Sequence, residues 1–185
     1  MLFLTIAADP FPARGLFERM SADTAFDAFV TAVPDLRLGE EEAETEIMRQ
    51  ERLLLASGIP AERLIRVRPD DMERWPDVCE KMDIVCYGTA RNDSSFRYLP
   101  KYAAGRDFLP ILVNTDVPDA EYDARWLRID AYRYCWKVFF TSAETLDLYQ
   151  TNNRDGGKNG ECADDAAGMF ESIKRAILQQ VQICR

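Results

Sequence analysis

Apolar positions in this chain come in two textures, and the change falls near residue 116. Up to that point, short apolar runs alternate with stretches of helical spacing. Residues 2–8, "LFLTIAA", make a continuous apolar run stopped by Asp9-Pro10, which predicts a short buried strand. "FPARGLFERMS" then sets Ala13, Leu16, Phe17 and Met20 at i, i+3, i+4 and i+7, with Pro12 suited to a first helical turn. Between Phe26 and Val33 the Val, Phe and Thr content, stopped by Pro34-Asp35, favours a strand over a second helix.

"GEEEAETEIMRQERLLLASG" reads as a long helix, with Ile47, Met48, Leu54 and Leu55 on one face and Gly58 at its C-terminal cap. "RLIRVR" (63–68) alternates as a strand does. "DDMERWPDVCEKM" places Met72, Trp75, Val78, Cys79 and Met82 at helical spacing, with Pro76 breaking or delaying the helix. "DIVCYG" and "FLPILVNT" are apolar strands on either side of a short helix, "RYLPKYAAG". Continuous apolar strands separated by helices imply a parallel sheet covered on both faces. The expected core is therefore an α/β, three-layer arrangement over residues 1–115, with a mainly parallel five-stranded sheet.

After Asp116 the pattern differs. "RWLRIDAYRYCWKVFFTS" and "ETLDLYQT" alternate like half-buried antiparallel strands, and "NNRDGGKNGE" (152–161) is rich in turn residues. A final helix carries Ala166, Met169, Phe170, Ile173, Ile177 and Val181 on one stripe. Residues 116–185 are thus expected to be an antiparallel strand-and-helix extension packed on the same core, within a single domain spanning 1–185.

Composition narrows the chemistry. The 23 basic and 32 acidic residues leave a net charge of −9, a field that repels nucleic-acid phosphates and anionic lipid as general partners. With no histidine, there is no Ser-His or Cys-His nucleophile pair and no histidine-ligated zinc. Five widely spaced cysteines without a CxxC pair read as reduced core thiols, and the N-terminal apolar run is too short and lacks the basic flank of a signal peptide; a cytoplasmic location is expected.

In its first 115 residues the chain resembles the universal stress protein family of adenine-nucleotide-binding α/β proteins. The resemblance lies in a first strand ending in aspartate ("LTIAAD"), a long helix running into Gly-Ile-Pro before a strand, and the pair "DIVCYGT … FLPILV". It implies ATP, ADP or AMP as ligand, a homodimer formed through the last strand of the sheet, and a role for Asp9 beside the adenine or ribose. ATP-binding members carry Gly-x2-Gly-x9-Gly-Ser/Thr after the fourth strand. Aligned on Gly88, that signature falls here on Gly88, Arg91, Lys101 and Tyr102, so two glycines are replaced by cations.

Two readings of this loop stay open. Arg91, Arg97 and Lys101 could bind a phosphorylated small molecule by side-chain charge, with Thr89, Ser94 and Ser95 as donors near a helix start. Alternatively, the loop only caps a helix and its cations are solvated. The position of Asp9 and Gly88, at the C-terminal ends of parallel strands, is where open α/β sheets bind ligands, and a plain Asp-Pro turn is an equal alternative for Asp9.

Other chemistries fit less well. "DGGKNGE" lacks the GxxxxGK[ST] spacing of a phosphate loop, so Lys158 belongs to a turn. The acids Glu40, Glu41, Glu42, Glu44 and Glu46, and likewise Asp116, Asp119, Glu121 and Asp123, match no metal-loop spacing and read as solvated. No pair of side chains stands out as acid and base, so no catalytic residue is assigned. The competing function is an acidic, immunity- or chaperone-like binder of a basic partner, using the aromatics of "AYRYCWKVFF" and the acidic helix.

Overall fold

The computed structural model describes residues 2–5, 13–26, 28–32, 39–67, 84–88, 111–128, 132, 135–153 and 157–183. Seven strands are described: β1 (Leu2–Thr5), β2 (Ala28–Ala32), β3 (Leu64–Val67), β4 (Ile84–Gly88), β5 (Ile111–Asn114), β6 (Lys137–Phe140) and β7 (Gly160–Cys162). They form one sheet in the order β3-β2-β1-β4-β5-β6-β7, and every neighbouring pair is parallel. Four α-helices are described with them: α1 (Ala13–Ala22), α2 (Glu40–Ala56), α3 (Ala143–Asn152) and α4 (Ala166–Ile183). The protein is therefore α/β with a parallel sheet.

The C-terminal third corrects the sequence expectation. Its strands are not an antiparallel appendage; β6 and β7 continue the same parallel sheet, which has seven strands among the described residues rather than the five expected. The reason lies in "ETLDLYQT", expected as a strand but folded into α3. Ser142 caps that helix, its hydroxyl accepting from the Thr145 N–H at 3.3 Å, while Thr145 and Tyr149, four apart, are its buried positions. A helix between β6 and β7 supplies the crossover that parallel strands require. Upstream, Ala124–Arg128, at the start of the stretch expected to alternate, form a 3-10 turn.

The helix expected within residues 39–58 forms as α2, though its inner face differs. Gly39 N–H donates to Glu42 Oε2 at 3.1 Å at the start. At the other end Gly58 takes φ +84°, with its N–H on Leu55 O (3.0 Å) and the Ile59 N–H on Leu54 O (3.2 Å), the paired bonds of a Schellman cap. The buried stripe is Ala43, Ile47, Gln50 and Leu54, spaced four, three and four. Met48 and Leu55, expected inside, are 40% and 46% exposed because each lies about 100° around the helix from that stripe.

Alternation along the strands sorts the core. Ile111 and Val113 of β5 and Phe139 of β6 share a buried cluster with Leu16, Phe17 and Met20 of α1, Leu54 of α2, and Met169, Ile173 and Ala176 of α4. Phe140, the next residue on β6, instead meets the ring of Tyr149 on α3, with centroids 5.0 Å apart. The terminal helix α4 is thus integral to the core, as its apolar stripe predicts. No described helix is long and apolar enough to cross a membrane.

An ion pair fastens α4 to the turn after α1. Lys174 Nζ donates to Asp23 Oδ2 at 2.5 Å, and the Ala25 N–H donates to Asp23 Oδ1 at 2.8 Å. Donation from Lys174, then from Ala25, lowers the Asp23 pKa below its ordinary 3.8. A carboxylate depressed on folding contributes stability above its unfolded pKa and loses it as pH falls through the folded value. Asp23→Asn is therefore expected to lose stability at pH 7 and to show a shallower decline than wild type upon acidification below about pH 5. Urea melts of both proteins between pH 7 and 3 measure this; equal slopes would exclude the effect.

Candidate functional site

The sheet's direction of winding reverses at the β1–β4 pair. Strands β1, β2 and β3 run outward on one side, and β4 to β7 on the other. At such a switch point the connections leave the C-terminal ends in opposite directions and open a crevice, the general ligand position of open α/β sheets. Thr5 pairs with Tyr87 at that edge, and Gly88 is the last residue of β4, in register with Asn114 of β5.

Gly88 is thus the one predicted site residue within the described chain, and it ends β4 as expected. Asp9, Thr89, Arg91, Ser94, Ser95, Arg97 and Lys101 lie outside the described residues. So do the helices expected over "DDMERWPDVCEKM" and "RYLPKYAAG". In chain order Asp9 comes four residues after β1 ends, and Thr89 immediately follows β4.

Beside Gly88, the end of β5 carries a buried polar cluster that sequence reasoning did not single out. Asn114 is fully buried and uses both ends of its amide. Its Nδ2 donates to Tyr132 Oη at 2.9 Å and to Asp116 Oδ2 at 3.2 Å, while its Oδ1 accepts the Asp116 N–H at 2.8 Å. Tyr122 Oη donates to the same Asp116 Oδ2 at 3.0 Å, and Thr145 Oγ1 of α3 donates to the Asp116 carbonyl at 2.7 Å. Asp116, expected to be solvated, is only 2% exposed. Burial of a carboxylate is tolerated where donors reach it, and here Asn114 at the strand end and Tyr122 in the following loop provide them, while Thr145 of α3 satisfies the backbone carbonyl.

The sequence signal was present in "ILVNTD", where polar residues follow an apolar strand without a break. In sequence alone, Asp116 reads with the acids downstream as one solvated series. The structure divides that series. Asp119 and Asp123 close local turns by accepting the Glu121 and Arg125 N–H groups at 3.0 and 2.9 Å, and Asp123 also pairs with Arg125. Only Asp116 enters the buried cluster.

Electrostatics make this cluster a hydrogen-bonding device. Burial, reinforced by the nearby Asp116 charge, pushes the Tyr132 phenol well above its usual range, with the Asn114 bond acting in the opposite sense. Tyr132 therefore remains a neutral phenol near pH 7. Burial likewise raises the Cys135 thiol, and burial together with Asp164 raises Cys162, so neither offers an activated thiolate.

Removing the amide at the centre tests the cluster. Asn114→Ala strips a partner from Tyr132 and from the Asp116 carboxylate and N–H, and is expected to destabilise by about 3 kcal/mol. Denaturant unfolding would measure it, and a change within 0.5 kcal/mol would mean that the cluster contributes little. No protein-family model matches the chain, and no curated protein aligns with it to a significant degree.

Proposed function

We propose that this protein is a universal-stress-like regulatory module that binds a mononucleotide or another phosphorylated small molecule at the C-terminal edge of β1 and β4. The observation supporting this reading is the strand order itself, which reverses between β1 and β4, the position at which open α/β sheets bind ligands; Asp9 and the 88–102 segment follow these two strands in sequence. We read the architecture as three layers, a five-stranded core (β1–β5) extended by β6 and β7. Reduced core thiols suit a cytoplasmic setting.

Residues 6–12, between β1 and α1, favour a mononucleotide over a dinucleotide. A pyrophosphate at the first turn of such a sheet rests on a glycine-rich loop whose amides approach it closely. "IAADPFP" has no glycine, and its two prolines lack an N–H. The phosphate end of a ligand is thereby assigned to the β4 side, where Gly88 ends the strand and Arg91, Arg97 and Lys101 follow in sequence. The homodimer implied by the resemblance would need a surface other than a free β5 edge, since β6 pairs with β5 from Ile111 to Asn114.

Binding of a basic partner through "AYRYCWKVFF" has less support. Tyr132, Phe139 and Phe140 of that stretch are each no more than 1% exposed and belong to the core.

The proposal is tested by calorimetric titration of the purified protein with ATP, ADP, AMP and NAD, after measuring the nucleotide released on denaturation. ATP or AMP is expected to bind more tightly than NAD, and Asp9→Ala and Arg91→Ala to weaken binding at least about tenfold, a loss of about 1.4 kcal/mol. Failure of every nucleotide to bind would overturn the nucleotide reading.

A further inference from the structure

We draw no further inference here: the strongest candidate, the buried Asn114–Asp116–Tyr122–Tyr132 side-chain cluster at the end of β5, belongs to the edge already described, and its hydrogen bonds within the cluster hold the chain after β5 without pointing to a ligand.

Discussion

Phe139→Ala is expected to destabilise the protein by about 4 kcal/mol, lowering its melting temperature by roughly 8–16 °C. The side chain is 1% exposed and shares a cluster with α1, α2, α4 and the Ile111 and Val113 side chains of β5. Truncation removes a ring from a site bounded by elements far apart in sequence, so several of them would have to move together to refill the space. The size of the effect measures how fully β6 belongs to the sheet. An antiparallel appendage resting on a completed five-stranded core would tolerate the change far better. Leu178→Ala provides the contrast: that side chain is 58% exposed on α4, and its loss should stay within about 0.5 kcal/mol. Thermal unfolding by circular dichroism compares the two, and a shift below about 2 °C for Phe139→Ala would remove β6 from the core.

Gly157→Ala is the second large effect, expected at about 3 kcal/mol from two causes that reinforce each other. The residue has φ +56°, a left-handed conformation that a Cβ disfavours. An added Cβ would also stand 2.7 Å from both Cδ1 and Cε1 of Tyr149 and 3.2 Å from the Gln150 Cα. The ring has little freedom to retreat. It is 3% exposed, lies 5.3 Å from the Tyr132 ring and 5.0 Å from that of Phe140, and its hydroxyl donates to Asn159 Oδ1 at 2.8 Å. Asn159 in turn donates to the carbonyls of Tyr132 and Cys135, both at 3.2 Å, so displacement would loosen the turn entering β7. Gly168→Ala is the control: its added Cβ would come no closer than 3.4 Å to Asp165 Oδ1, and in α4 the change should be neutral or mildly stabilising. Urea denaturation of both variants measures the difference. Equal stability for the two would show that the turn adapts to a side chain.

Much of the first half was legible because its signals are local. Apolar runs of four or five residues, bounded by turn residues and separated by helical spacing, leave few alternatives to parallel strands. Gly58 marked the end of α2 because its left-handed cap requires freedom from a Cβ. Gly88 could likewise be placed at a strand end from the change in polarity after "DIVCY" alone.

Sequence pattern and structure part where a local pattern allows two periods. Leu146 and Leu148 alternate with Thr145 and Asp147 as in a strand, yet Thr145 and Tyr149 satisfy a helical spacing; the Ser142 cap and the crossover between parallel strands select the helix. Similarly, Leu54 and Leu55 are equally apolar in sequence, and only the approach of the sheet and α1 determines which is buried.

By itself, the sequence determined that the protein is an acidic, histidine-free α/β chain with parallel strands, a capped long helix and a buried C-terminal helical stripe, because composition and short-range periodicity are properties of neighbours in the chain. Tertiary structure decided that β6 and β7 extend the sheet, that α4 returns to pack against α1, and that Asp116 is buried among Asn114, Tyr122 and Thr145. Those outcomes depend on which distant surfaces meet. A carboxylate beside a strand end is solvated or buried according to the donors that long-range packing brings to it.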